Sequence, residues 1–399
     1  MNSITERNRT EDGLVAAKPA YSRKRPFWAK LTRHERLTKP GSGKDTRHLV
    51  LELEGSGFTY TPGDSLGAYG SNAPAVVDEL IRLLGLDPEW PLTDSEGDIT
   101  TLRNTLLRDY TVNRANRKII NGLAERLPQG AQRDQLMDIL GNTDRVREYI
   151  ETRDYIDVLR EFDQAKFETA EALLAQLTPA APRLYSIASA LEAHPGEAHL
   201  CVTVVRYTSH GRPKKGFASG FLADHADLFV QAVPVYVQES RSFRLPHDLA
   251  RDIIMVGPGT GIAPFRAFIE HRALAGATGR NWLFFGEQHR ATDFLYEEEL
   301  LSWKAKGVLN RLDLAFSRDQ PEKIYVQHRM LEQAKELWKW IVNGAYFYVC
   351  GDAHNMAKGV HDALIRIAAE QGGLSPEAAA EFVNVTLMRT DKRYLRDVY

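Results

Sequence analysis

The stretch Asp252-Ile-Ile-Met-Val256-Gly257-Pro258-Gly259-Thr260-Gly261-Ile-Ala-Pro264-Phe265 decides how this chain must fold. Its first five residues, four of them apolar, read as a short buried strand. Three glycines in five then open a helix that the pattern carries to about Ala273. Glycines let a backbone approach a diphosphate closely, and the helix N-terminus behind them favours negative charge. Thr260 adds a hydroxyl donor. The spacing is not G-x-G-x-x-G, so taken alone the loop also fits a structural tight turn.

Downstream, Asn281–Gly286, Arg311–Phe316 and Ala345–Cys350 are further short apolar strands separated by helices. That alternation predicts an α/β doubly wound parallel-sheet nucleotide domain over 246–399. Upstream the text differs. His48-Leu-Val-Leu-Glu-Leu-Glu54 alternates as a half-buried strand does, and Thr61-Pro62-Gly63-Asp64 punctuates the next one. Helical spacing fills the chain from about Ala73 to Leu177, as in Val76-Val77-Asp-Glu-Leu80-Ile81. Strand-like text returns at Arg183–Ser189, His199–Tyr207 and Val233–Glu239. The expected order is an antiparallel β-barrel, 21–72 and 181–245, interrupted by an all-helical insertion, 73–180. Residues 1–20 are too polar to offset their ordering entropy and read as a mobile tail.

Composition narrows the chemistry. With 399 residues, 43% apolar and 26% charged, the chain has the make-up of a soluble protein with several cores. A formal net charge of -2 gives no reason to expect nucleic acid. Two cysteines, Cys201 and Cys350, exclude a disulfide framework and any four-thiolate cluster. Of the 12 histidines no pair has the spacing of a zinc-protease helix or a finger, so no metal is expected. Redox chemistry here needs an organic cofactor. No apolar run reaches about 18 residues, and no signal-peptide core opens the chain, which points to the cytoplasm and to no membrane.

Behind the glycine loop, Ser317-Arg318 follows a strand, and Lys323-Ile-Tyr325-Val-Gln327 comes shortly after. This group suits a ribose 2′-phosphate with an adenine beside it, although such charge runs are often only solvated loops. On the barrel side, the arginine of Arg183-Leu184-Tyr185-Ser186 can clamp a flavin diphosphate. Its tyrosine can pack on the flavin ring and its serine can reach the N5 edge. Gly216-Phe217-Ala218-Ser219-Gly220 then opens a helix as a second phosphate site.

In this order the motifs resemble the ferredoxin–NADP reductase superfamily, and within its diflavin branch the reductase part of the NADPH–sulfite reductase flavoprotein family. The likeness runs from about Tyr21 to Tyr399. It includes Thr111-Val-Asn113, Arg183–Ser189, Gly257–Phe265, Asn281–Gly286, Ser317-Arg318-Asp-Gln320, Tyr348-Val-Cys-Gly-Asp352 and Arg396-Asp-Val-Tyr399.

The resemblance implies FAD and NADPH as cofactors, with hydride passing from NADPH to FAD and single electrons to another protein. It places Thr111, Arg183, Leu184, Tyr185, Ser186, Cys201, Val202, Thr203, Tyr207, Gly216, Phe217, Ala218, Ser219 and Tyr399 on flavin positions. Gly259, Thr260, Ser317, Arg318, Lys323, Tyr325, Gln327 and Asp352 fall on nucleotide positions. Ser186, Cys350 and Asp397 match the polar group around the hydride path, and Tyr399 the ring over the flavin. Two departures stand out: Phe217 replaces a glycine, and Gly359 replaces an aspartate. The family's flavodoxin domain is not expected here, nor its FMN.

The implied acceptor is a flavodoxin-like protein, a ferredoxin or a sirohaem/iron–sulfur sulfite reductase subunit. A ferredoxin or flavodoxin–NADP reductase of another pathway, and a non-catalytic flavin-bearing subunit, are the alternatives. The basic segment Leu102–Lys118, with Arg103, Arg108, Arg114, Arg117 and Lys118 against Asp109, reads equally as a solvated face and as a docking site for an acidic carrier. Cys350 and Tyr399 each also have a plain reading, a buried inert thiol and a frayed chain end.

Overall fold

The computed structural model describes residues 21–94, 97–224, 226 and 232–399. The expected tail, 1–20, lies outside the described residues.

Six strands make one antiparallel sheet: β1 (Phe27–Arg36), β2 (Thr46–Glu52), β3 (Ser65–Ala68), β4 (Arg183–Ser186), β5 (Glu197–Thr203) and β6 (Ala232–Gln238). Their order is β4-β3-β6-β1-β2-β5. The bridge Ile187–Leu200 and a 2.7 Å bond from Ala188 N to His199 O join the two edge strands, so the sheet closes into a barrel. The turn before β3 depends on Gly63, whose φ is +102° and whose absent Cβ would lie 2.0 Å from the Phe243 carbonyl. Asp64 fixes this turn by accepting from Thr61 N and Ser240 N.

The expectation of a half-buried strand at 48–54 needs correcting. His48 and Val50 are buried along with Leu49 and Leu51. On the outward face, His48 packs against the His199 ring of β5 and has the Tyr296 hydroxyl of the nucleotide domain 2.9 Å from its Nδ1.

Between β3 and β4 the described residues form seven helices, from Pro74–Leu84 to Ala170–Leu174, accompanied by two short strand pairs. They share a core that includes Leu80, Ile119, Leu123, Tyr155 and Phe162, all fully buried. Each such side chain stabilises the insertion by about 1.5–3 kcal/mol. The insertion is tied to the barrel by a hairpin, Arg206–Ser209 with Arg212–Lys215, that the sequence pattern did not separate from β5. Arg212 Nη1 lies 2.8 Å from both Asp154 and Asp157, and Lys214 pairs with Asp157. A helix, α1 (Phe217–Asp224), follows.

The second sheet is parallel throughout: β7 (Ile253–Val256), β8 (Asn281–Glu287), β9 (Arg311–Phe316), β10 (Tyr346–Gly351) and β11 (Tyr394–Val398), in the order β9-β8-β7-β10-β11. β11 was not anticipated: Tyr394-Leu-Arg-Asp-Val398 is too short and too polar to announce itself. Helices α2 (Ala263–Leu274), α3 (Val326–Glu332) and α4 (Met356–Gly372) connect the strands. The chain runs from β7 outward through β8 to β9, then crosses back to β10. The order therefore reverses beside the carboxyl end of β7, where open α/β sheets hold their ligands. Among the described residues no helix is long and apolar enough to cross a membrane.

Candidate functional site

The glycine loop occupies that reversal point. Gly259 has φ +59°, and residues 259–262 form a single tight turn before α2. A Cβ on Gly261 would lie 2.1 Å from the Cys350 carbonyl, and one on Gly257 would lie 2.5 Å from the Gly261 carbonyl. Only glycine lets the loop fold on itself and press against the end of β10. The contact brings Thr260 Oγ1 within 2.8 Å of the Tyr399 hydroxyl.

On one side of the loop lies a cavity of about 1160 Å³, lined by barrel, insertion and chain end together. Every flavin position inferred from the sequence faces it: Thr111, Arg183 to Ser186, Cys201 to Thr203, Tyr207, Gly216 to Ser219, and Tyr399. Thr260 joins them. Leu184, Val205, Tyr207 and Tyr399 are between 44% and 62% exposed here, unusual apolar surface that a bound ring system would cover.

Arg183, Arg114 and Arg117 also line the cavity, and none has an ion pair among the described residues. Unpaired cations around an apolar cleft suit a diphosphate. The basic segment is thus divided in use. Arg103 pairs with Asp78 at 2.6 Å and Arg108 lies over Trp28, while Arg114 and Arg117 face the cavity. Asn113, Arg114, Asn116 and Arg117 were missed as site residues, although the Thr111-Val-Asn113 motif stood next to them. Phe217, in place of a glycine, begins α1 with its backbone carbonyl against Gly70. Ser219 Oγ accepts from Val205 N at 3.2 Å, which fixes the helix entry.

Where the two domains meet, Ser186 Oγ donates to Asp397 Oδ2 at 3.0 Å. Asp397 is paired in register with Cys350, at the adjoining ends of β11 and β10. Burial raises the Asp397 carboxyl above its ordinary range, and the Ser186 hydroxyl partly offsets this. Cys350 is fully buried; burial and then the nearby Asp397 charge push its thiol far up, so it stays protonated. Burial likewise pushes the Cys201 thiol up to about 12.

On the other side of the loop lies a second cavity, of about 600 Å³. Gly259, Ser317, Arg318, Lys323, Tyr325, Gln327 and Asp352 all line it, whereas Thr260, expected among the nucleotide positions, lines the larger cavity. Arg318 and Lys323 are exposed and without ion pairs among the described residues, and Tyr325 is 43% exposed at the start of α3. Asp352 has a structural task as well: it accepts from Asn355 N at 2.7 Å and Met356 N at 3.0 Å at the start of α4, bonds that hold its carboxyl below the usual range. Gly359 gives Gln327 its place, since a Cβ there would lie 2.9 Å from the Gln327 amide nitrogen. Lys44 and Glu287 were not foreseen in this cavity. Lys44, from the barrel, reaches Glu287 at 2.7 Å, and nothing local in the sequence pairs residues so far apart.

Residues 19–221 match the family described as FAD binding domain, and residues 255–362 match the oxidoreductase NAD-binding domain. Over 383 residues the chain is 44% identical to the sulfite reductase [NADPH] flavoprotein alpha-component of Bacillus subtilis (strain 168), covering 95% of this chain and 62% of that one. It is 45% identical over 383 residues to the protein of the same name from Vibrio cholerae serotype O1 (strain ATCC 39315), covering 96% and 61%. With Escherichia coli O157:H7 the figures are 44% over 381 residues, 95% and 62%. The chain therefore spans a little over three-fifths of the length of these relatives. The barrel with its insertion and the parallel sheet behind it carry both family matches, so this chain belongs to the FAD binding domain family joined to an oxidoreductase NAD-binding domain, the two-part arrangement of the ferredoxin–NADP reductase superfamily.

Proposed function

We propose that the chain is an NADPH-oxidising FAD flavoprotein reductase that passes electrons to a separate redox protein in sulfite reduction. One observation carries this reading: the two cavities share the glycine loop as their wall. Thr260 and Ala263 line the larger cavity, and Pro258 and Gly259 line the smaller one. Tyr399, in the larger cavity, bonds the loop's Thr260 at 2.8 Å, so a dinucleotide ring that crosses the loop from the second cavity into the first comes to this tyrosine.

The residues present fit both groups. A cleft of about 1160 Å³ with three arginines that have no ion pair among the described residues, and with exposed apolar side chains, accommodates a long molecule with a charged middle. The smaller cavity has Arg318 and Lys323, without ion pairs among the described residues, to meet a 2′-phosphate, with Tyr325 beside them. FAD, when bound, supplies the conversion of a two-electron donor into single electrons.

The chain's own work is positioning and proton control. Arg183 and Arg114 hold a diphosphate, and Leu184, Tyr185 and Tyr207 close on apolar rings. Ser186 Oγ and Asp397 Oδ2 form a bonded pair at the junction that can hold a proton and release it toward the cavity. Cys350, fully buried and protonated, excludes water from behind it. Tyr399, bonded to Thr260 of the shared loop, lies over the place where the nicotinamide ring would meet the flavin. The division into a barrel, 21–72 and 181–245, an insertion, 73–180, and a nucleotide domain, 246–399, belongs to the same proposal. So do FAD as the only flavin, a cytoplasmic location, and as acceptor a sirohaem/iron–sulfur subunit reached through a flavodoxin-like carrier.

The names of the relatives support the pathway. Reconstitution tests it: the FAD-loaded chain, NADPH, a flavodoxin-like carrier and a sirohaem/iron–sulfur subunit are mixed, and sulfide formation from sulfite is followed. Electron delivery to ferredoxin but never to that subunit would instead favour a ferredoxin–NADP reductase. No NADPH oxidation with any acceptor would leave only a flavin-bearing scaffold.

A further inference from the structure

Away from both cavities, the link between β4 and β5 carries His194-Pro-Gly-Glu197-Ala-His199. One ring nitrogen of each histidine and one carboxylate oxygen of Glu197 lie within 4.8 Å of one another. Glu197 Oε2 is 3.1 Å from His199 Nε2 and 4.0 Å from His194 Nδ1. The ligand atoms of a tetrahedral zinc ion, at 2.0–2.2 Å from the metal, are separated by about 3.4 Å. The observed spacings bracket that value.

Proton placement favours the same conclusion. Glu270, on α2, lies 2.9 Å from His194 Nε2. A carboxylate there holds the proton on Nε2 and leaves the Nδ1 lone pair turned toward the Glu197 carboxylate. A cation held between that lone pair and the Glu197 carboxylate would engage both. The same carboxylate-to-histidine contact orients metal-binding imidazoles generally. His199 is buried; Nε2 makes its one side-chain bond, to Glu197, and Nδ1 has no partner among the described residues.

The charge around the group is not prohibitive. Arg266 comes within 3.8 Å of Glu270 but is engaged at 2.7 Å by Glu299. The side chains of His194 and Glu197 are 27% and 42% exposed, which leaves an entry path and room for a water as the fourth ligand.

We propose that His194, Glu197 and His199 form a binding site for a zinc-type divalent cation, with Glu270 as the positioning residue for His194. The site lies on the domain junction, because Glu270 belongs to the nucleotide domain and also accepts from Ala190 N at 2.7 Å. Bound metal would rigidify that seam. It takes no part in electron transfer, so the site stands or falls independently of the reductase reading.

The test is equilibrium dialysis of the full FAD-loaded chain against Zn²⁺, with elemental analysis and isothermal titration. The expected result is one equivalent bound and a rise in thermal midpoint that a chelator reverses. His194→Ala and Glu197→Gln should abolish this binding, and Glu270→Gln should weaken it roughly 10–100-fold. All three should keep their FAD and their NADPH–ferricyanide activity, which shows that they fold. No zinc uptake by the parent chain, or equal uptake by the parent and the His194→Ala and Glu197→Gln variants, would overturn the assignment.

Discussion

The choice between NADPH and NADH should rest on two side chains, Arg318 and Lys323. Both line the smaller cavity, both are exposed, and neither is engaged in an ion pair among the described residues. A charge-assisted hydrogen bond is worth roughly 1.5–3 kcal/mol, and exposure to solvent argues for the lower end. Replacing both by alanine therefore removes about 3 kcal/mol of binding specific to the 2′-phosphate, on the order of a hundredfold in preference. The ratio of kcat/KM for NADPH to that for NADH, measured before and after Arg318→Ala plus Lys323→Ala, reads this directly. The loss should fall on NADPH alone, with NADH efficiency nearly unchanged and FAD content intact. An unchanged ratio would mean that the two cations only solvate a loop, and the 2′-phosphate assignment would fail.

Replacing Tyr399 with Ser should leave FAD bound, tighten NADP⁺ binding and raise activity with NADH, as measured by titration and stopped-flow reduction. Identical behaviour of variant and parent would reduce the tyrosine to a chain end. Gly261→Ala should cost several kcal/mol or abolish folding, since its methyl would lie 2.1 Å from the Cys350 carbonyl; a thermal midpoint near that of the parent would contradict the packing. The Asp397 carboxyl has its pKa raised by burial, so its stabilising contribution is present below the ordinary value of 3.8 and is lost as pH rises through the folded value. Asp397→Asn should therefore gain stability relative to the parent as pH increases from 3.8 upward, and a difference independent of pH would refute the burial. Acid extraction should yield FAD and no FMN.

Much of this was legible because the motifs are local. A glycine loop between a buried strand and a helix specifies its own geometry, and Arg183 to Ser186 or Ser317 to Gln327 travel together on single segments. What the sequence hid is what distance creates. Lys44 meets Glu287 only because a barrel loop folds over the nucleotide sheet, and Arg114 and Arg117 turn into the cavity because the insertion packs against the barrel. His48 read as half-exposed, since nothing nearby announces that Tyr296 and His199 will pack against it. β11 adds to the sheet through five backbone pairings with β10, and its polar residues carried no strand signal.

The most direct test of the central claim is anaerobic titration of the FAD-loaded chain with NADPH, following the flavin's visible absorbance. Two adjoining cavities sharing the Gly257–Gly261 wall predict complete bleaching by about one equivalent of NADPH, with no other protein present. A chain that retains FAD but keeps its colour under excess NADPH would contradict it.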